Sequence, residues 1–324
     1  MKKVYEEILS QIKESKKVAI YIHNLMDADC IGSAAALKLG LERLGKEADI
    51  FSEDKSVPKK YLCIPCANEI NKPKLKDYDL AISVDVASIQ KLGRGSSTQF
   101  LKFEKSIKID HHISSDNFAK LNFVEHYSSC SMIIYYLLPL LGVEEIDKDM
   151  ATAIYAGMSG DTGCFRNANT KPMDHKLAAK LMEMGVDSYN IDKWLFKYAS
   201  MHELELKRRA LGRFKKYVNN KMSIIYLLQK DFDETHAKLE DTASIIYLVD
   251  VVDDCELAVV ICEHQPGKFK VSFRSVTTDA ALSVAKAFGG GGHAQSSGCQ
   301  IYGCLNTVIN KIVKESKFIL DEQK

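Results

Sequence analysis

Short β-branched runs alternate with stretches of helical period in the first half of the chain. Residues 18–22, 48–51, 80–84 and 107–109 read as strands. Residues 31–44, 131–141, 147–158 and 173–184 read as helices, with Gly45 and Gly185 as stops. Such alternation predicts a mostly parallel sheet with helices on both faces. A charged stretch, 191–217, is predicted to be helical. Beyond it the pattern restarts with a strand at 222–228 and a helix within 234–249. A hairpin at 257–262 and 269–274 turns at Gln265-Pro266-Gly267. A helix at 279–288 is broken by Gly289–Gly292, a strand closes around Ile301, and a last helix spans 305–319. The expected fold is α/β. A doubly wound, mostly parallel N-terminal sheet occupies 1–190, a helical connector 191–218, and a smaller α/β domain 219–324.

Composition narrows the function classes. The 324 residues are 46% hydrophobic and 27% charged, the balance of an ordinary globular protein of about two domains. Lys plus Arg number 44 and Asp plus Glu 43, a net charge of +1. That balance argues against coating long duplexes by bulk charge and leaves room for a local basic pocket. No run of about 18 apolar residues occurs, so no membrane span is expected. The N-terminal stretch is charged and amphipathic and does not read as a secretory signal. Nine cysteines, an odd number, fit a reducing cytoplasm better than a disulfide framework. Cys63 and Cys66 form a lone CxxC and read as loop.

Chemistry-bearing residues gather at the ends of the predicted strands. His23, Asp27 and Asp29 fall within seven residues, after one strand and before a helix. In an open parallel sheet, ligands collect beyond the strand carboxyl ends. Imidazole and carboxylate together suit Mn²⁺ or a similar divalent ion, although Asp27 and Asp29 also suit helix capping. Gly32 and Ser33 are placed to bring backbone N–H groups near an anion. Asp85 ends another strand. Asp110-His111-His112 ends a third, where one ring can bind metal, the other can face substrate, and Asp110 can orient a ring from behind. Asp161-Thr162-Gly163 follows a helix, with Arg166 just beyond. Four such clusters at successive element ends would repel one another unless cations sat between them. A dinuclear metal site is the expectation.

These motifs, in this order, resemble those of the DHH phosphoesterase superfamily. Val271-Ser-Phe-Arg274-Ser275 and Phe288-Gly289-Gly290-Gly291-Gly292-His293 resemble its DHH-associated C-terminal domain. The set is most similar to the NrnA-type branch, bifunctional oligoribonucleases that also remove phosphate from 3′-phosphoadenosine 5′-phosphate (pAp). The resemblance implies two divalent ions, most simply Mn²⁺. His23, Asp27 and Asp85 would hold one; Asp29, Asp85, His111 and Asp161 would hold the other. It further implies that His112 meets the substrate phosphate and that Asp110 orients a histidine.

Arg274, Gly290, Gly291, Gly292 and His293 are expected to contact substrate, with Arg166 as a further contact. The expected partners are short RNA or small nucleotides, with homodimerisation as an option and no membrane. A phosphodiesterase for linear dinucleotides of the pApA type is the alternative enzyme, and a silent nucleotide sensor is the alternative outside catalysis. Trp194, Phe196 and Tyr198 could stack a base, but their place in the connector makes core packing the expectation; Lys207-Arg208-Arg209 is expected to form a solvated helix face.

Overall fold

Two compact units, Met1–Tyr198 and Ala199–Lys324, make up the computed structural model. It describes residues 2–242, 244–249, 252–275 and 278–322, and of residues 2, 3, 240, 293 and 322 the backbone alone. The first unit runs α1 (Lys2–Glu14), β1 (Lys17–Tyr21), α2 (Ala28–Arg43), β2 (Glu47–Phe51), β3 (Leu80–Val84), α3 (Arg94–Phe100), β4 (Ser106–Asp110), β5 (Leu121–Val124), α4 (Cys130–Leu141), α5 (Lys148–Asp161), α6 (Pro172–Glu183) and α7 (Ser188–Asp192).

The strands pair in the order β2-β1-β3-β4-β5, all parallel. Alternate side chains leave the sheet on opposite faces. Val18, Ile20, Ile82 and Ile109 join a large core with α1, α2, α4 and α5. Ala19, Tyr21 and Ala81 meet Val86, Leu92 and Phe100 on the other face. Burial on both faces explains why β1 and β3 are nearly all apolar. Strand order reverses between β1 and β3, so the crevice beyond their carboxyl ends is the topological switch point.

Helices α2 and α5 cross at glycines. A Cβ at Gly32 would lie 2.3 Å from the Ala153 carbonyl oxygen, and one at Gly160 would lie 2.7 Å from Ala28 Cβ. The expectation that Gly32 and Ser33 offer N–H groups to an anion is therefore corrected. Helix α2 starts at Ala28, so both lie a turn inside it, buried against its neighbours. Close packing is what Gly32 supplies.

The second unit runs α8 (Met201–Leu211), β6 (Lys215–Tyr217), β7 (Met222–Leu227), α9 (Gln229–Thr235), β8 (Leu257–Gln265), β9 (Lys268–Ser275), α10 (Ala280–Ala287), β10 (Gly291–His293), β11 (Ser296–Tyr302) and α11 (Leu305–Glu322). Its mixed sheet has the order β10-β11-β9-β8-β7-β6. Helices α10 and α11 cover one face, where Phe269, Val271 and Phe273 are buried. Leu206 and Ala210 of α8 pack on the other with Val260 and Cys262.

The stretch 191–217 is not one helix. A π-helical turn, Lys193–Lys197, follows α7. The Ser200 hydroxyl accepts from Glu203 N at 3.0 Å and starts α8 afresh, and Lys215–Tyr217 pairs with β7 as a strand. The unit boundary falls within this stretch, between Tyr198 and Ala199. Trp194, Phe196 and Tyr198, expected in the core, are instead half-buried or exposed, because the turn lies on the unit's surface. Strand β5 and helix α3 were not expected. Both are short, and β5 is only half-buried.

Gly32→Ala should lower unfolding stability by about 1–3 kcal/mol, the usual result of forcing atoms into a packed contact. Denaturant titration checks this. Wild-type stability would show that α2 and α5 can separate without loss.

Candidate metal centre

The centre is built from four ends of elements. Between β1 and α2 the loop is pinned by Met26 N donating to Asp54 Oδ2 at 2.8 Å. Asp27 then caps α2, its Oδ1 accepting from Asp29 N and Cys30 N, both at 3.0 Å. Its other oxygen, Oδ2, lies 3.4 Å from His23 Nε2. Capping and metal-type ligation are thus not alternatives here, since one carboxylate has an oxygen for each. His23 Nδ1 lies 2.9 Å from the Asn24 carbonyl oxygen, which only accepts, so the lone pair belongs to Nε2.

Asp85 follows β3 with φ of 59°, a left-handed conformation costing about 1–3 kcal/mol for a residue with a side chain. Its side chain stands at the centre of the cluster. Oδ2 lies 3.5 Å from His23 Nε2, and Oδ1 lies 3.3 Å from His111 Nε2. That Oδ1 is buried without a hydrogen bond. His111 Nε2 also approaches Asp161 Oδ2 at 3.2 Å and Asp29 Oδ2 at 3.9 Å, while its Nδ1 meets the Tyr127 carbonyl oxygen at 3.2 Å. His112 differs: its Nδ1 meets Asp110 Oδ1 at 2.7 Å.

The electrostatics follow from packing carboxylates out of water. Burial, then the charges of Asp85 and Asp161, hold Asp29 well above the usual carboxylate range. Burial pushes the Asp161 carboxyl up to about 6, with Asp85 adding and His111 opposing. Burial disfavours charge on His111, yet Asp161 and Asp85 outweigh it and lift the ring to about 12. Burial also disfavours charge on Asp110, but His112, Ser115 and Lys108 hold it down to about 2.

Three groups have ligand atoms within 4.8 Å of one another: His23, Asp27 and Cys30; Asp85, His111 and His112; and Asp29, His111 and Asp161. Carboxylate oxygens and imidazole nitrogens are the donors a divalent ion of mixed preference takes, and the partnerless Asp85 oxygen is one such donor. The donor set fits. Cys30 is a lesser candidate: burial pushes its thiol up to about 12, and its sulfur accepts from Asp27 N at 3.3 Å within the cap.

Several supporting residues carried no sequence signal. Cys130 N and Ser131 N at the start of α4 donate to Asp29 at 2.6 and 3.0 Å, from about a hundred residues away. Lys108 is 0% exposed in mid-strand. Its Nζ donates to the Asp116 carbonyl oxygen at 2.5 Å and to the Ser115 hydroxyl, and stands 3.7 Å from Asp110 Oδ2. The Ser115 hydroxyl in turn donates to Asp110.

The remaining candidate residues lie elsewhere. Arg166 is exposed, with Nε donating to the Gly163 carbonyl oxygen at 2.8 Å and its guanidinium over the Phe196 ring. Arg274 sits on β9, donates to the Phe273 carbonyl oxygen, and lines a cavity of about 210 Å³ with Lys270, Ser272, Thr242 and Cys262. The glycine run is a paired strand: a Cβ at Gly290 would meet the Gly298 carbonyl oxygen at 2.2 Å, and one at Gly292 the Ser296 oxygen at 2.5 Å. Gly291 has open space around it. Register places Ser296 opposite both Arg274 and His293, so the three share one row across the sheet. The side chain of His293 lies outside the described residues.

Strand ends at a switch point, lined by carboxylates and imidazoles around an Asp-His-His sequence, define a phosphoesterase of the DHH class. Residues 17–158 match the DHH family, N-terminal domain. A bifunctional oligoribonuclease and PAP phosphatase NrnA of Thermus thermophilus is 28% identical over 303 residues, 91% of this chain and 88% of the relative. An exopolyphosphatase-related protein from Bacteroides fragilis shares the fold with a TM-score of 0.89 at 21% identity, covering 99% of this chain and 98% of that one. RecJ from Thermus thermophilus, solved in complex with Mn²⁺, superposes with a TM-score of 0.57 at 12% identity, covering 99% of this chain and 55% of RecJ. No helix among the described residues is long and apolar enough to cross a membrane.

Metal uptake should release protons. Without an ion His111 carries a proton up to about pH 12, whereas a ligating imidazole is neutral. Mn²⁺ titrated into metal-free protein at pH 7 should therefore expel at least one proton, and its affinity should rise with pH. Calorimetry in two buffers of different ionisation enthalpy measures this. Affinity that falls with pH would contradict the assignment of His111 as a ligand.

Proposed function

We propose that the chain is a dinuclear-metal phosphoesterase that hydrolyses short oligoribonucleotides and pAp. One observation carries the reading: Asp85 turns one oxygen to His23 and the other to His111, as a carboxylate shared between two ions would. His23, Asp27 and Asp85 would hold one ion, and Asp29, Asp85, His111 and Asp161 the other. When bound, a divalent pair would supply an activated water and charge stabilisation at phosphorus; Mn²⁺ is an ion this mixed donor set can hold. The Mn²⁺ bound by the RecJ structure supports that choice.

The protein's own groups would then do the following. His112, held through Nδ1 by Asp110, meets a non-bridging phosphate oxygen and, when protonated, donates to the leaving oxygen. Arg274, with the Gly290–Gly292 strand and His293, grips the far end of the nucleotide. An Arg–phosphate contact of this kind is charge-assisted and directional. Arg166 is a further substrate contact. The activities named for the NrnA relative support short RNA and pAp as substrates.

With Mn²⁺ present, kcat/KM should be highest for pAp and RNA of two to five nucleotides and fall for a 24-mer and for pyrophosphate. Equal values for a dinucleotide and a 24-mer would overturn the substrate class. Asp85→Ala should lose metal and turnover together, while Asp161→Ala should deplete mainly one ion, as metal analysis would read. Near-normal turnover by Asp85→Ala with added Mn²⁺ would remove its bridging role.

Arg274→Ala should reduce kcat/KM on pAp by about 10–200-fold, the range of a hydrogen bond to a charged group. Its loss on bis-p-nitrophenyl phosphate, which has no nucleotide to grip, should be at least about tenfold smaller on the same grounds. Equal losses would place Arg274 in stability or in the chemistry itself.

A further inference from the structure

The surface turn at Lys193–Lys197 has no part in the metal centre, yet it is built firmly. Tyr198 N donates to the Lys193 carbonyl oxygen at 2.7 Å, the five-residue step of a π-helix. Such turns are rare and often mark functional sites. The turn is fastened at its start: Asp192 accepts from Ser159 Oγ at 2.6 Å and from Tyr155 OH at 3.2 Å. Both donors lie on α5, the helix that ends in Asp161. Leu195 packs against the large core.

What the turn leaves at the surface is aromatic. Trp194 and Tyr198 stand with ring centroids 4.6 Å apart and an interplanar angle of 31°. Phe196 is 37% exposed. Cations cover this patch. Lys59 Nζ lies 5.6 Å from the centre of the Tyr198 ring, Arg166 Cζ 5.6 Å from that of Phe196, and Lys197 Nζ 5.6 Å from that of Tyr189. Among the described residues no carboxylate forms an ion pair with Lys59, Arg166, Lys193 or Lys197. In a chain of net charge +1 this is a local excess of positive charge laid over aromatic rings. A ligand that suits both must be a polyanion that also carries flat π-faces. Single-stranded nucleic acid is that ligand, since aromatic stacking with a cationic track is how such strands are held without reading their sequence. A duplex does not suit, because its bases are already stacked.

We infer that Trp194, Phe196 and Tyr198 form a base-stacking subsite for the oligonucleotide, with Lys59, Arg166, Lys193 and Lys197 facing its phosphates. The inference rests on the reading of short RNA as substrate and adds the place where a base beyond the reacting phosphate is held. Arg166 is five residues past Asp161, so its Cα is within about 18 Å of that ligand by chain reach. pAp carries a single base, so a subsite for a base beyond the reacting phosphate serves oligonucleotides and not pAp.

Trp194 is the only tryptophan, so its fluorescence reports on the patch. Full-length metal-free protein is titrated with a five-nucleotide RNA, with an abasic ribose-phosphate strand of equal length, and with oligo-glutamate. RNA should quench Trp194 and bind about 10-fold more tightly than the abasic strand, the lower range of stacking by one or two bases. Phe196→Leu should weaken RNA binding by about 5-fold on the same basis.

The Mn²⁺-loaded enzyme gives the second reading. Trp194→Leu should raise KM for the pentanucleotide by about 10-fold, and Trp194→Phe should restore most of that loss. Quenching by oligo-glutamate equal to that by RNA, or equal binding of RNA and the abasic strand, would overturn the subsite. So would a Trp194→Phe protein as impaired as Trp194→Leu, because packing alone would then explain both. The reading of the enzyme fails separately, if wild-type protein with Mn²⁺ hydrolyses no phosphoester at all.

Discussion

Four carboxylates, those of Asp27, Asp29, Asp85 and Asp161, converge where strand order reverses. Their mutual repulsion is the constraint that the first unit is arranged to withstand. Asp29 is held by two backbone N–H groups at the start of α4, the end of a helix that favours negative charge. Asp27 takes the same kind of help from the start of α2. Asp161 has the opposite placement: it ends α5, where the helix dipole disfavours an anion, and its carboxyl is pushed up to about 6. Like Asp29, it is a carboxylate whose charge calls for a cation beside it. The glycines at the α2–α5 crossing matter for the same reason. Gly32 and Gly160 let the two helices close up, and only then do Asp29 and Asp161 reach His111 together.

The parts of this centre that were legible in the sequence are those that fall at the ends of local patterns. β1 and β3 are short apolar runs, and Ile107 and Ile109 alternate with Lys108 in β4; strongly polar residues follow each, so His23, Asp85 and Asp110-His111-His112 could be placed at strand ends. Asp85 carried little by itself, since an Asp after a strand is usually a turn residue. Its weight comes from a positive φ and from a buried oxygen without a hydrogen bond, which only a folded backbone reveals. The contacts from Cys130 and Ser131 to Asp29 were not legible at all. They are backbone groups, and a backbone N–H has no signature in sequence. The aromatic run near residue 196 misled because hydrophobic residues in a charged stretch read as an inward face, while a π-helical turn breaks the period that inference assumes.

In the second unit the glycine run was legible as special but not in its form. Four glycines in a row suggest a loop whose backbone cradles an anion. Here two of them are needed because strand β11 lies too close for any side chain. The result still serves the same end. A paired strand fixes the backbone of His293 in register with Ser296 and Arg274. Residues separated by some twenty positions thus stand in one row on a rigid sheet, and sites on rigid elements are held more closely than sites on loops.

The two adjacent histidines of the Asp-His-His sequence are separated in environment by the alternation of β4. Ile107 and Ile109 point to the face covered by α2 and α4, while Lys108 and Asp110 point to the face covered by Phe100 and Phe118. Continued one residue beyond the strand, this alternation turns His111 toward Asp29, Asp85 and Asp161. His112 is held by Asp110 through Nδ1 and stays 3.7 Å from Asp85 Oδ1. Asp110 is itself 0% exposed, and a lone buried carboxylate would be costly. Lys108 and Ser115 answer that charge from within the sheet face. The same strand therefore carries two charge-balancing arrangements, one on each face. On one face the carboxylates outnumber the fixed cations and leave a deficit of positive charge that a divalent ion would fill. On the other, the Lys108 amine stands 3.7 Å from Asp110 Oδ2. This difference sets the surroundings of the two rings: His111 stands among three carboxylates, and His112 is bonded to Asp110.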